Sequence, residues 1–495
     1  MKTSRLILAA AALALTMTFA GCGKGNSADN PNPDDQNSNG ITNTVPDGYT
    51  PIRTAADLDA VRDSLSGNYI LMNDISLVGR SRAGAGWTPI GTYDTPFTGT
   101  FDGNGHKISG LIIQDTTLMY VGLFGCMSGG SVSNLGVEID AGGLNSGNDV
   151  GGIVGCVTSS KCTITNCYTT GNISVISYPD HSNLPRVGGI VGNLYSGTIA
   201  NCHTAGNISS GSGYIGGITG YKGQNSTIID CYSTGNISFI TSGGDCYSGG
   251  ITGEAYGTIS NCYSTGNISV SITSTSGAAY SGGIAGEAYG TISNCYSTGE
   301  ISASTVSPGS IYTPAGAWAG GIVGLGQGNS TITNCYSTGY IKSTASNVSY
   351  AYSTQSYSGG IVGAAQGGTI TGCAAINQTI VASTSAGVDV TGCFAAGRIV
   401  GYASSYYVPI VSNNFALNPM TVSATGMSYG TTLITGTLVS YDGTGKTLAQ
   451  LQAQSTYADP VNGDGLGGLG WAFGNDDANP WKMPASGGYP TLYWQ

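Results

Sequence analysis

The sequence has few charged side chains. Asp, Glu, Lys and Arg together make up 8% of its 495 residues, and the formal net charge is -11. The 15 Lys and Arg residues form no cluster beyond the first few positions. We therefore expect no nucleic-acid partner, because neutralising phosphates needs clustered basic side chains. Since 40% of the residues are hydrophobic, the low charge indicates an ordered chain rather than a disordered one.

Histidine is also scarce, which limits the metal chemistry. The chain has only His106, His181 and His203, and no two of them lie four residues apart. A zinc-binding HExxH helix is therefore excluded. No GxSxG nucleophile stands in a strand-to-helix context, and no Asp recurs as it does in calcium-binding β-helix repeats. We expect a non-enzymatic protein with no catalytic residues, no metal site and no cofactor.

Long apolar runs are missing after the N-terminus. The stretch 6–20 follows Lys2 and Arg5 and is too short for a transmembrane helix, as in a signal peptide. It ends at Phe19-Ala20-Gly21-Cys22, which resembles a bacterial lipobox and implies lipidation of Cys22. An ordinary secretory signal is the alternative. Residues 1–21 are thus predicted as a lipoprotein signal peptide, and residues 22–50, rich in Asn, Gly, Ser and Pro, as a flexible tether.

What the sequence does have is a repeat. Residues 248–269 recur at 281–302, with only Thr252/Ala285 and Asn267/Glu300 exchanged. Each unit reads GGIVG, TITN and CYSTGNIS, which are strand-forming words separated by Gly and Asn turns. Such a unit buries its apolar face only by stacking on its neighbours. The pattern predicts an all-β, right-handed parallel β-solenoid of about nine coils, roughly 40–45 Å long.

The segments around the array are predicted to close it. Residues 51–120 contain helical spacing at 55–65 and a hairpin-type turn at Asp102-Gly103-Asn104-Gly105, which predict an N-terminal cap with lead-in coils. Residues 121–405 are predicted to form the solenoid, and residues 406–495 a C-terminal cap. The half of each unit that varies in length, such as 303–318, is expected to project as a loop.

Identical coil positions predict columns of like residues along the solenoid axis. An inward aliphatic column is expected from Ile153, Ile190, Ile218, Ile251, Ile284, Ile322 and Ile361. An amide column, broken by Asp230 and Gly372, is expected from Asn166, Asn201, Asn261, Asn294 and Asn334. The repeated Cys is expected to be a reduced, buried thiol. Cys156 and Cys162 are the best candidates for a local disulfide.

Two aromatic columns are the strongest functional signal. One follows the repeated Cys and contains Tyr168, Tyr232, Tyr263, Tyr296 and Tyr336, with His203 substituting once. The other precedes Gly-Gly and contains Tyr214, Tyr247, Tyr280, Trp318 and Tyr357. Strand alternation places these side chains outside the coil, where they would contact a glycan or protein ligand. Structural stacking that seals the coil edges is the favoured interpretation, and ligand contact is the alternative.

Glu254 and Glu287 occupy the same position in adjacent units. Their spacing of about 5 Å suits a retaining glycosidase. A solvent-exposed Glu copied by duplication is the favoured interpretation, because no Arg or third acid repeats beside the pair.

The repeat resembles the GLUG repeat of bacterial surface proteins. The matching words are GGIVG and GTIxNCYxTGNIS over about 150–375, a lead-in at 87–125, and an ending with Trp481 and 488–494. The resemblance implies an exported adhesin-like protein, and in larger relatives the repeat stands beside metallopeptidases that cut immunoglobulin A. Lipoproteins of this design are typical of gut Bacteroidetes. The resemblance carries no catalytic residue onto this chain.

The combined prediction is a non-catalytic protein anchored by lipid in a bacterial outer membrane and facing the cell surface. Its role would be adhesion through a glycan or a host protein. A polysaccharide-acting β-helix enzyme is one alternative, and it requires clustered acids in a cleft. A structural spacer that presents the C-terminal segment is another.

Overall fold

The computed structural model describes residues 41–79, 86–145, 148–175, 184–241, 243–274, 277–308, 316–347, 354–384, 394–426, 442–458 and 468–495. Over these ranges the chain winds in successive coils whose equivalent strands pair in parallel and in register. The fold is therefore the predicted all-β parallel solenoid. The predicted signal peptide and Cys22 lie outside the described residues, as do His181 and Cys393.

Four parallel sheets form the sides of the solenoid, and we number them in the order in which a repeat unit enters them. Sheet I ends at the Gly-Gly pairs and comprises Tyr120–Val121, Asp149–Gly151, Arg186–Gly188, Gly213–Gly216, Cys246–Gly249, Ala278–Gly282, Gly316–Gly320, Gln355–Gly359 and Phe394–Gly397.

Sheet II follows the Gly-Gly pairs, and most coils supply it with two short strands or one long one. Its strands are Tyr49–Ile52, Asn68–Leu71, Thr100–Asp102, Phe124–Met127, Ser131–Ser133, Val154–Val157, Thr163–Thr165, Val191–Ala200, Thr219–Ile229, Thr252–Ala255, Thr258–Ser260, Ala285–Ala288, Thr291–Ser293, Val323–Thr333, Val362–Thr371, Val400–Ala403 and Ile410–Ser412.

Sheets III and IV complete each coil after the repeated Cys. Sheet III comprises Ile75–Ser76, Lys107–Ile113, Gly136–Leu144, Tyr168–Thr170, His203–Thr204, Tyr232–Ser233, Tyr263–Ser264, Tyr296–Ser297, Tyr336–Ser337, Ala374–Ala375, Phe415–Leu417 and Thr444–Lys446. Sheet IV comprises Ile173–Val175, Ile208–Ser210, Ile237–Thr241, Ile268–Thr273, Ile301–Ser307, Ile341–Asn347, Thr379–Thr384 and Thr421–Gly426.

The solenoid extends beyond the nine coils predicted for the repeat array. Sheet III has twelve strands in the described part of the chain, which at about 4.8 Å per strand gives a body of roughly 53 Å. The extra coils come from the lead-in segment and from the segment after the recognisable repeats. In both segments the strands keep the coil register, although the repeat sequence is no longer recognisable there.

Two local predictions were wrong. The Asp102-Gly103-Asn104-Gly105 turn does not close a hairpin: the strands on either side of it enter sheets II and III and pair only with other coils. The variable half does not begin as a loop, because Ile301–Ser307 and Gly316–Gly320 are strands of sheets IV and I. Strand pairing continues into them, and buried and partly exposed positions alternate along Ile301–Ser307. Residues 309–315 of the predicted loop lie outside the described residues.

The core is the predicted aliphatic column together with the thiols behind it. All seven column isoleucines are fully buried, Ile251 and Ile284 among them. The Gly-Gly corner lets the coils approach closely: a Cβ on Gly250 would lie 2.2 Å from the carbonyl oxygen of Gly283. Side chains larger than hydrogen are thus excluded from this corner.

The backbone conformation explains why Asn recurs in this column, which the sequence pattern alone did not indicate. Each column Asn has a positive φ of 53–54°, and so has Asp230, while Gly372 has a φ of 67°. Asn and Gly adopt this left-handed conformation more readily than other residues, which explains why they share the position. The amides also bond along the axis, as predicted: Asn294 Nδ2 donates to Asn261 Oδ1 at 3.3 Å.

We predict that Asn261→Ala destabilises the protein by about 2 kcal/mol. Alanine is strained at this φ, by about 1–2 kcal/mol, and the Asn294 amide loses its acceptor. Asn261→Gly is the matched control, because it removes the same acceptor without the strain and should cost less. Urea unfolding of both variants measures the difference. Equal losses would show that the backbone conformation does not select Asn here.

The N-terminal helix is shorter than its sequence pattern suggested. Ala55–Asp59 is α-helical and Ala60–Asp63 is a 3₁₀ helix. The Thr54 side chain accepts from the Asp57 backbone N–H, and the Asp57 carboxylate accepts from the Thr54 backbone N–H, forming a capping box. Leu58 is fully buried against the first coils.

The C-terminal segment folds back along the side of the solenoid. After short helices at Leu448–Leu451 and Ser455–Ala458, an antiparallel sheet forms from Phe473–Asp476, Asn479–Lys482 and Thr491–Leu492. Its tryptophans pack against sheet III rather than only across the open end of the coils.

Candidate functional site

The first aromatic column projects from sheet III, and its rings stack face to face. Tyr263 stacks on Tyr232 and on Tyr296, with centroid distances of 4.8 and 5.0 Å and planes within 2° of parallel. His203 occupies the equivalent place in its coil and stacks on Tyr232 at 4.7 Å. Tyr168 and Tyr336 extend the stack at its two ends, at 5.3 and 4.9 Å from their neighbours.

This stacking limits how a ligand could contact the column. Inside the column both faces of every ring are covered by the next coil, so solvent meets ring edges and phenol oxygens. Stacking a planar or sugar ring on an aromatic side chain needs a free face. Only the two ends of the column can provide one.

The C-terminal segment already covers one end. Tyr336 is 2% exposed, and its hydroxyl donates to the Pro490 carbonyl oxygen at 2.8 Å. Trp481 lies 5.8 Å from the Tyr336 ring, and Gln495 Nε2 donates to the Tyr296 hydroxyl. Trp494 reaches as far as Tyr232 and Tyr263. Tyr296 and Tyr336 are therefore internal contacts of this chain and are not available to a ligand.

The second aromatic column lies on sheet I and is stacked in the same way. Tyr247 lies 4.8 Å from Tyr214 and 4.7 Å from Tyr280, and Trp318 continues the stack at 4.7 Å. The column ends at Tyr357, where the ring of Tyr402 from sheet II stacks on it at 4.5 Å. Trp318 and Tyr357 are buried, whereas the three preceding tyrosines are half-buried.

Glu254 and Glu287 pair in register on sheet II, beside this second column. The prediction that they are solvent-exposed was wrong, since they are 6% and 4% exposed. The Tyr289 hydroxyl donates to Glu287 Oε1 at 3.2 Å, and Gln327 Nε2 donates to the same oxygen. Both carboxyl groups are thus enclosed by the coils.

Burial sets the protonation of this pair. Desolvation, together with the smaller effect of the neighbouring Glu254 charge, raises the pKa of Glu287 to about 7, although the hydrogen bond from Gln327 lowers it. Desolvation also raises the pKa of Glu254, against hydrogen bonds from Tyr256 and Tyr214 that lower it. The two carboxyl groups therefore carry less than two charges near neutral pH.

Sequence reasoning missed the tyrosines that enclose these acids. Tyr256 and Tyr289 each follow a Glu by two residues, and their rings stack at 4.6 Å with parallel planes. The sequence did contain a signal for these tyrosines, because the two near-identical units share the tripeptide Glu-Ala-Tyr.

We predict that Glu287→Gln stabilises the protein at pH 8 by roughly 1–3 kcal/mol. A folded-state pKa raised above the unfolded value means that the carboxylate destabilises the fold above pH 7, and this penalty disappears as the pH falls below 4.5. Urea unfolding at pH 8 and pH 4.5 measures the change. Glu300→Gln, at an exposed position, is the control. A stabilisation that is equal at both pH values would contradict the assigned cause.

The repeated cysteines are buried thiols in the described part of the chain. The eleven described cysteines are all free, including Cys156 and Cys162, so the suggested local disulfide is absent. Cys156 instead lies opposite Cys126 in sheet II, while the Cys162 sulfur accepts from the Gly129 backbone N–H. Burial raises the pKa of the Cys262 thiol well above its usual value, which makes it unreactive.

The described residues contain no cluster of three or more His, Cys, Asp or Glu side chains arranged to hold a metal ion. Among them there is also no helix with the length and apolar composition needed to cross a membrane.

Comparison with known families assigns the repeat. The model of the GLUG motif matches residues 277–302, which comprise one near-identical unit and the strand before it. The chain contains a GLUG motif. The repeated units on either side of this match keep its register in the solenoid. The motif therefore corresponds to one coil of the stack.

Two curated proteins share parts of this sequence. A Gly-rich membrane protein of Evansella cellulosilytica is 42% identical over 93 residues, which is 18% of this chain and 11% of that protein. Halomucin of Haloquadratum walsbyi is 33% identical over 161 residues, 30% of this chain and 2% of halomucin. The GLUG-containing chain thus spans only a small part of each relative.

Two solved structures also align with the chain. One, described as an immunoglobulin A1 protease from Bacteroides ovatus, has 21% identity and a TM-score of 0.33 and covers 90% of this chain and 93% of its own. A second, an IgA1 protease, has 15% identity and a TM-score of 0.35 and covers 75% of this chain and 21% of its own. At these scores the likeness carries no argument about activity.

Proposed function

We propose that this GLUG-containing chain is a non-catalytic cell-surface protein that binds glycans or host proteins. The observation that carries the proposal is the periodic outer surface of the solenoid. Equivalent side chains recur at the coil spacing, for example in the hydrogen bond of 3.1 Å between the Ser209 and Ser174 hydroxyls. A periodic surface suits repeated weak contacts with a repetitive partner, because linked contacts raise the overall avidity.

The enclosed acid pair supports a non-catalytic role. A glycosidase needs one carboxylate or carboxylic acid on each side of an accessible bond. Glu254 and Glu287 are nearly fully buried, and tyrosine hydroxyls bond to them. Their raised pKa values follow from this burial, and we propose that the pair shares charge within the coil rather than performing acid–base chemistry.

The proposed location is the surface of a bacterial outer membrane, with a lipid on Cys22 as the anchor. The lipobox-like Phe19-Ala20-Gly21-Cys22 supports the anchor. The names of the two curated relatives, a membrane protein and a halomucin, agree with an envelope or extracellular setting. A tether formed by residues 23–50 would hold the solenoid away from the membrane.

Antibody labelling of intact cells, together with a mucin- and glycan-binding screen of soluble residues 23–495, tests this function. We expect surface labelling that is lost in Cys22→Ala cells, and binding of at least one glycan or mucin without release of reducing sugar. Absence of both labelling and binding would reject the proposal. Release of reducing sugar that Glu287→Gln abolishes would instead establish the enzyme alternative.

A further inference from the structure

The Asn column contains one acid. In the described part of the chain every residue other than glycine with a positive φ is Asn, except Asp230, whose φ is 53°. Asp230 therefore keeps the backbone geometry of the column and replaces an amide by a carboxyl group. It lies in a coil that the C-terminal segment covers, since the ring centroids of Trp494 and Tyr232 are 5.9 Å apart. The acid thus stands where the column meets this segment.

The Asp230 carboxyl group is enclosed at this contact. The residue is 9% exposed, and its Oδ1 atom has no hydrogen-bond partner among the described residues. The Asn261 amide and the Trp494 indole favour the charged form of the group, whereas Asp477 of the C-terminal segment favours the neutral form. A buried carboxylate is costly when one oxygen is unsatisfied and a like charge lies near it. The contact is therefore more stable with a proton on Asp230.

Burial sets the pH range in which this preference acts. Desolvation, with a smaller effect of the Asp477 charge, raises the pKa of Asp230 to about 6, although the Asn261 amide and the Trp494 indole lower it. Once the segment is released, the carboxyl group is more exposed, and its pKa returns towards the ordinary value of about 3.9. Because the pKa is higher in the docked state, docking takes up a proton between about pH 4 and about pH 6.

Other ionisable side chains surround the same contact. The Tyr493 hydroxyl donates to Asp477 Oδ1 at 2.6 Å, and this bond raises the pKa of Tyr493. Burial raises the pKa of Tyr232 and of Tyr263, so that these phenols stay neutral in the acidic range. His203 stacks on the Tyr232 ring at 4.7 Å, and burial lowers its pKa. The imidazole therefore also changes charge at acidic pH and needs its own control.

We propose that Asp230 makes the docking of the C-terminal residues 493–495 on the first aromatic column dependent on pH. While Asp230 is protonated, Trp494 stays packed on the column. When the proton is lost, the charge of Asp230 faces that of Asp477, and the chain end loosens. The ring edges and phenol oxygens of Tyr232 and Tyr263 then become accessible. The accessible part of the column grows as the pH rises from about 4 to about 6 and is constant above that.

Hydrogen–deuterium exchange of the whole chain at pH 4.5 and pH 7.5 tests this dependence. The amides of Tyr493 and Gln495 report on the chain end, because they donate to the carbonyl oxygens of Pro480 and Leu492. After correction for the intrinsic exchange rates, we expect their protection to fall about tenfold from the lower to the higher pH. The limit is about 25-fold, if the whole shift in pKa comes from docking.

Three variants separate the groups involved. Asp230→Asn restores the usual residue of the Asn column, and it should make the protection independent of pH. Asp477→Asn removes the facing charge and should reduce the dependence. His203→Tyr is the matched control: it restores the aromatic residue of its own column, removes the imidazole, and should leave the dependence unchanged. Protection in wild type that does not change with pH would overturn the proposal, and so would a pH dependence that persists in Asp230→Asn or disappears in His203→Tyr.

Discussion

Replacing Trp481 by alanine is expected to release the C-terminal segment from the solenoid. Trp481 is fully buried and stacks on Trp471 at 4.4 Å, between the C-terminal sheet and Tyr336. Removing a buried Trp side chain costs about 3–5 kcal/mol. A segment of this size that one apolar cluster holds in place has only a small free energy of unfolding. We therefore expect the segment to detach while the coils stay folded.

Hydrogen–deuterium exchange measures this directly. The amides of residues 471–492 should exchange faster in the variant, while those of Ile251 and Ile284 keep their protection, since their core does not include the segment. Trp494→Ala, at a half-buried position, should have a smaller effect. Faster exchange throughout the solenoid would show that the C-terminal segment is needed for the coils themselves.

Lys222→Met is expected to stabilise the protein most strongly at low pH. Lys222 occupies the interior column between Leu194 and Ala255 and is fully buried. Its Nζ donates to the Ser226 carbonyl oxygen at 2.8 Å. Desolvation lowers the pKa of this amine to about 7. A folded-state pKa below the unfolded value means that the amine destabilises the fold fully below pH 7.

The penalty decreases as the pH rises from 7 towards 10.5, because the folded amine is then neutral and giving up its proton costs less at higher pH. The shift corresponds to roughly 4 kcal/mol at pH 6 and about half of that at pH 9. Urea unfolding of wild type and Lys222→Met at both pH values measures the difference. Lys342→Met, at an exposed position, is the control. A stabilisation that does not depend on pH would refute the assigned pKa.

Much of the fold was predictable because the same pattern of strands and turns recurs in several units of the sequence. Aligning identical sequence segments at equivalent coil positions predicts the inward isoleucines, the stacked amides and the alignment of both aromatic columns. Coils outside the array were harder to predict. The strands at Ile75–Ser76 and Thr444–Lys446 are too short to carry a periodicity, and only pairing with a neighbouring coil makes them strands.

The candidate sites were less predictable, since they depend on what lies beside each column. The sequence placed Tyr296 and Tyr336 on the outside of the coil, but not the tryptophans that return from the C-terminus to cover them. It placed Glu254 and Glu287 side by side without the tyrosines that enclose them. At Gly136 the column lacks a side chain, and the Tyr168 ring packs onto this glycine, which the repeat pattern does not indicate.

Removing one coil tests most directly whether the periodic surface carries recognition. The segment 249–281 is one repeat, and its deletion joins Ser248 to Gly282, restoring the Ser-Gly pair of the repeat. The measurement is the apparent dissociation constant of this shortened chain for the mucin or glycan polymer that wild type binds. We expect weaker binding, because one set of the repeated contacts is lost. An unchanged affinity would contradict the proposed function and would place binding outside the repeats.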